Sequence, residues 1–202
     1  MKLYSYVVSH DTGFSPNPFH GYCTLACCKP AIRRTAMKGD WVVGLTPKKD
    51  GNRIVYLMRV DEIPLTYAAY WNDRRFKAKR PHKADGVLAR CGDNIYKPQG
   101  DGYEQLLSMH KPEDKAHDLS GKYVLISETF AYFGSRPLAL PPALAPLIVG
   151  RWHRSHFSEE DKAAFLAFTR TVSFGVHAQP RTWKEGDNSW NESGCGCSVR
   201  PK

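Results

Sequence analysis

The stretch from Cys23 to Leu45 leaves this chain few ways to fold. Residues 22–28 suit a short strand. Pro30 then belongs in the first turn of a helix, because its ring fixes φ and it lacks the N–H that a helix start leaves unpaired. The helix is expected over about residues 30–38, with Gly39 as its C-cap. The Gly39-Asp40 turn feeds Trp41-Val42-Val43-Gly44-Leu45, which is apolar enough for a buried strand. A strand, a short helix and a second strand are thus packed into little chain. The loop-to-helix junction between them carries Cys27, Cys28, Lys29, Arg33 and Arg34.

The flanking segments extend this pattern. Residues 2–9 read as a first strand. His10 to His20 reads as a loop rich in turn formers. Pro47 to Gly51 reads as a hairpin turn, and Ile54 to Ile63 as the alternating return strand. Leu65 to Trp71 looks helical, and residues 99–118 read as a polar loop. Tyr123 to Ile126 reads as a strand followed by the aromatic patch Phe130 to Gly134. Ser158 starts a helix running to about residue 171, with acids in its first turn. Short strands with few helices indicate an α+β fold. The expected form is one domain, residues 1–182, built as a small, partly open mixed β-barrel with flanking helices. Residues 183–202 form a Gly/Cys-rich tail.

The chain has 202 residues and a formal net charge of +9, which favours a polyanionic partner such as a nucleotide or DNA. No apolar run reaches the roughly 20 residues of a membrane span. The first residues are too polar for a signal peptide, so the expected location is cytoplasmic, with no membrane partner. Six cysteines then argue for thiols rather than disulfides. With no C-x-x-C pair or H-E-x-x-H, no metal site is expected, and no cofactor is named by the chain.

Candidate chemistry concentrates at loops. A thiolate at Cys27, beside Lys29 and Arg33, would be a nucleophile, whereas Cys28 reads as a small buried hydrophobe. Asp11 and Asp93 are candidate general bases. Lys29 and Arg33 would hold phosphate. Asn17, Asn94 and Tyr96 would contact a base or sugar, and Tyr132 and Phe133 would offer a stacking wall. Residues 73–83 hold six Lys/Arg and one acid. Arg74, Arg75, Lys77, Lys79 and Arg80 would track a nucleic-acid backbone.

Ser9-His10-Asp11-Thr12-Gly13-Phe14, Pro16-Asn17-Pro18-Phe19, the block from Cys23 to Arg34, Gly39-Asp40-Trp41, Gly92-Asp93-Asn94-Ile95-Tyr96 and Tyr132-Phe133-Gly134 together resemble a nucleotide-modification-associated domain of the second type. The likeness spans roughly residues 1–175. It implies a place in prokaryotic or phage systems that hypermodify DNA bases, either as an enzyme of group transfer or as base processing. The Gly-Asp turn entering a strand also resembles PUA, ASCH and EVE barrel domains, which bind modified bases. That likeness implies an alternative, a non-catalytic reader caging a base with Trp41, Tyr132 and Phe133. A basic scaffold in a phage or defence complex is a third reading, carried by charge.

Overall fold

Residues 1–82 and 86–183 are described in the computed structural model. The chain runs through β1 (Leu3–Val7), β2 (Cys23–Leu25), α1 (Pro30–Thr35), β3 (Trp41–Leu45), β4 (Ile54–Arg59), β5 (Leu65–Thr66), α2 (Tyr67–Asn72) and α3 (Val87–Arg90). It continues through β6 (Tyr96–Gln99), β7 (Gly102–Gln105), α4 (Lys115–Leu119), β8 (Tyr123–Ser127), β9 (Phe130–Tyr132), β10 (His153–Arg154), α5 (Glu159–Thr169) and β11 (Gly175–Val176). Short 3₁₀ segments cover Lys48–Asp50, Arg74–Lys79, Pro112–Asp114 and Pro142–Leu147.

The strands form a mixed six-stranded sheet in the order β10-β1-β3-β4-β9-β11, a three-stranded sheet β2-β8-β5 and the hairpin β6-β7. The α+β expectation holds, but none of these sheets closes into a barrel. The physical reason lies at the ends of the large sheet. Its outer strands, β10 and β11, each span two residues. Such short edges expose little unpaired backbone and do not reach one another. β1 and β3 pair in parallel. The crossover this requires is supplied by β2 and α1, so the Cys23–Thr35 block leaves the large sheet and builds a second layer.

Both faces of the large sheet are covered. On one face Tyr4, Tyr6, Val42, Tyr56, Met58 and Tyr132 pack against Cys23, Leu25, Ile32 and Leu125 of the second layer. On the other, Trp41, Val43, Leu57 and Phe133 pack against Leu144, Leu147 and Phe165. A third cluster lies beyond the small sheet, where Phe14, Ala26 and Cys27 meet Tyr67, Tyr70, Phe76 and Tyr96. Gly44 is required for the first packing. A Cβ there would sit 2.3 Å from the ring of Tyr56, its cross-strand partner.

Ser158 caps α5 by accepting from the Asp161 N–H, and the Asp161 side chain returns a bond to the Ser158 N–H. Ser158→Ala is expected to cost about 1 kcal/mol, read as a lowered urea midpoint at unchanged slope. Residues 180–183 lie across the first loop. Thr182 bonds the Asp11 carbonyl through both N–H and hydroxyl, at 3.1 and 2.9 Å. The Trp183 indole donates to the Thr12 carbonyl at 2.8 Å and stacks on Phe19.

Candidate active site

β2 and α1 are joined by an elbow whose backbone is held in an unfavourable form. Cys28 has φ 58° and Lys29 has φ 42°, both left-handed and neither glycine. Each such residue costs about 1–3 kcal/mol and persists only where its surroundings enforce it. The Ser15 hydroxyl donates to the Cys27 carbonyl at 2.7 Å. The Cys28 N–H donates to Asp118 Oδ1 at 2.7 Å, and Arg33 Nε donates to the Cys28 carbonyl at 2.7 Å. The peptides on both sides of Cys28 are therefore pinned.

This elbow presents Cys28 to a histidine and an aspartate in series. Cys28 Sγ lies 3.3 Å from His110 Nε2, and His110 Nδ1 lies 2.5 Å from Asp118 Oδ2. Phe14 meets the imidazole edge-on at 4.8 Å. A carboxylate on Nδ1 fixes the proton there, so Nε2 can take the thiol proton, and the ring can carry the resulting charge. Cys–His–carboxylate in this order has the geometry of an activated nucleophile.

Asp118 is the hub. It also accepts from the Tyr96 phenol at 2.8 Å and lies 3.9 Å from the Arg33 guanidinium. Burial pushes its carboxyl up. The bond and charge of His110, the Arg33 charge and the Cys28 N–H outweigh this and hold it below the usual 3.8. A depressed carboxylate stabilises the fold fully above its unfolded value, and that stability is lost as pH falls through the folded one. Acid unfolding below about pH 4 is therefore expected to be less steep in Asp118→Asn than in the parent, as read by far-ultraviolet circular dichroism.

Arg33 is fully buried rather than facing an open phosphate site. Nη2 donates to the Asp118 carbonyl at 2.6 Å and Nη1 to the Tyr123 carbonyl at 2.9 Å, with a further bond to the Tyr67 phenol. Lys29 is half-buried, with Nζ 4.7 Å from the Tyr6 ring centroid. Cys27 belongs to the third cluster, and its thiol meets the Asp93 carbonyl at 3.8 Å. Burial, with Asp118 and Asp93 adding to it, pushes the Cys27 thiol well above its ordinary range. Cys27, His110 and Asp118 also bring donor atoms within 4.8 Å of one another. This sulfur, nitrogen and oxygen set suits a zinc-like cation, although the same His110 and Asp118 atoms serve the relay.

The remaining expected site residues fall into separate buried networks. Asp93 accepts from Thr24 at 2.6 Å and from Tyr70 at 2.7 Å. Lys79 is fully buried and donates to Asn17 Oδ1 at 2.6 Å and to the Tyr22 carbonyl at 2.9 Å. Asn17 in turn ties the Gly13 and Cys91 carbonyls, and Asn94 ties those of Tyr70 and Phe76. Asp11 accepts from the Tyr132 phenol at 2.5 Å and from the Arg181 N–H.

The basic run folds as a 3₁₀ segment. Arg75 pairs with Glu62 and Asp73, and Arg80 lies over Trp71 at 3.9 Å. Arg74 and Lys77 are exposed; Lys83 lies outside the described residues. Tyr132 belongs to the first cluster, whereas Trp41 and Phe133 belong to the second. The large sheet separates them, so they form no common cage.

The family model for nucleotide modification associated domain 2 matches residues 1–187. The chain belongs to that family. The matched region contains the elbow, His110 and Asp118, so the relay lies wholly inside the nucleotide modification associated domain. Among curated proteins and among solved structures nothing matches. No helix among the described residues is long and apolar enough to cross a membrane.

Two relay members escape a reading of the sequence. His110 and Asp118 sit in the stretch taken as a polar loop, which folds as the β6-β7 hairpin, a 3₁₀ turn and α4. The available signal was a histidine and an aspartate eight residues apart in a segment otherwise too polar for its surroundings.

Proposed function

We propose that this domain carries out thiol-dependent group transfer at a nucleotide base, with Cys28 as nucleophile. The observation supporting this is the Cys28–His110–Asp118 series on a strained elbow within a nucleotide-modification-associated domain. His110 accepts the thiol proton as Cys28 Sγ attacks an sp² carbon, of amide, ester or amidine type, on the base or on the group being attached. An S–C bond forms, and the bond to the leaving group breaks. The leaving group departs with the proton held by His110. Water, or an amine of the base, then attacks the same carbon and gives its proton to His110, and the S–C bond breaks. Asp118 keeps the imidazole in the required tautomer throughout. Lys29, next to Cys28 and in no ion pair among the described residues, supplies positive charge for a phosphate.

The reading is tested by mass spectrometry of nucleotide pools, and of modified and unmodified DNA, after incubation with the protein. Brief treatment with iodoacetamide, mapped by peptide, runs in parallel. Selective labelling of Cys28 over Cys23, Cys27 and Cys91, and a mass change lost in Cys28→Ala, are expected. A mass change that survives Cys28→Ala would sink the assignment.

A further inference from the structure

A surface with its own chemistry lies along the sheet edge next to the elbow. Trp152 is 86% exposed, with φ 64°, and makes no ring contact among the described residues. An indole in water and in a left-handed backbone has no packing reason to be there. Its position is tied to the elbow by the edge of the large sheet. The next residue, His153, lies directly opposite Tyr6 in the β1–β10 pair and 6.4 Å from the Tyr4 ring. Tyr6 is the ring over which the Lys29 ammonium sits. Burial, and then the charge of Lys29, hold His153 below the ordinary imidazole value, which places that cation near β10 as well.

The chain segments that carry Trp152 and the elbow are basic. Residues 1–10, 28–39 and 146–157 contain no acid, yet they carry Lys29, Arg34, Lys38, Arg151 and Arg154. Asp40, the acid just beyond α1, has both carboxylate oxygens bonded to the N–H groups of Lys2 and Met37. Arg151 is exposed and makes no hydrogen bond or ion pair among the described residues. A flat π-face flanked by uncompensated cations is what a single strand requires, since any base stacks and every phosphate is anionic.

We propose that Trp152, Arg151 and Lys29 form a docking surface for single-stranded nucleic acid, with Trp152 stacking a base beside the one presented to Cys28. The proposal rests on the nucleotide-directed reading of the Cys28 site and narrows its substrate from a free nucleotide to a base within a strand. Stacking on one aromatic is worth enough that its loss weakens binding by about tenfold.

The test is fluorescence anisotropy of a labelled twelve-residue oligothymidylate, with the full chain carrying Cys28→Ser so that no chemistry intervenes. Trp152→Ala is expected to weaken binding about tenfold, and Trp152→Phe to retain most of it. Arg151→Ala is expected to lower the salt dependence by about one phosphate. Because Trp152 is exposed, unchanged melting of the Ala variant separates lost contact from lost fold. Equal affinity of Trp152→Ala and its parent overturns the proposal. So does tighter, Trp152-dependent binding of polyglutamate, which would identify an acidic protein as the occupant. These readouts need no turnover. Failure of thiol chemistry with Trp152-dependent binding intact refutes only the Cys28 reading; the reverse result refutes only the surface.

Discussion

Cys28→Ala is expected to lower turnover by roughly a thousandfold or more, with far-ultraviolet dichroism unchanged. The size of the effect follows from the absence of a substitute. The neighbouring thiol, Cys27, donates to the Asp93 carbonyl and is held protonated by burial and by the Asp118 and Asp93 carboxylates. Cys23 is likewise buried and pushed far up, and Cys91 is raised to about 12. His110→Ala is expected to reduce turnover comparably, because residues that act as a unit fail together. The distinguishing measurement is the alkylation rate of Cys28. It is expected to fall in His110→Ala and to lose its pH dependence near neutrality, whereas a purely structural histidine would leave both unmoved.

The second large effect is on stability. Arg33→Met is expected to destabilise the fold by about 3–5 kcal/mol, measured by urea unfolding, because one partner of a buried pair leaves an uncompensated charge behind. Arg33 satisfies the Cys28, Asp118 and Tyr123 carbonyls and lies beside the Asp118 carboxylate. Gly121 marks how closely the guanidinium is enclosed. A Cβ there would lie 2.5 Å from its central carbon. The substitution should also slow alkylation of Cys28, since Arg33 holds the carbonyl of that residue.

Much of the local structure was legible because it rests on local rules. Pro30 starts α1, Trp41–Leu45 is a strand at its expected bounds, and Ser158 caps α5. What was not legible depended on distant pairing. The closure expected of the strands failed because the two-residue edge strands β10 and β11 do not meet, while β2 pairs with β8 in a separate sheet. The basic run was expected to track a nucleic-acid backbone, yet Lys79 is drawn inward by acceptors that lie about sixty positions earlier. Adjacent thiols are equivalent to composition, and only the fold tells them apart, with Cys28 against the His110 ring and Cys27 against the Asp93 carbonyl. The relay joins Cys28 to residues 82 and 90 positions away, a distance no spacing rule spans.

The strap formed by residues 180–183 sets an order of assembly. The loop it covers, from Asp11 to Phe19, includes Ser15, whose hydroxyl holds the Cys27 carbonyl. Until residue 183 has left the ribosome, that loop lacks the bonds to Asp11 and Thr12 and the stack on Phe19, so the elbow beside Cys28 is not fully fastened. A chain that ends before residue 180 would carry Cys28 without the strap that fastens the first loop.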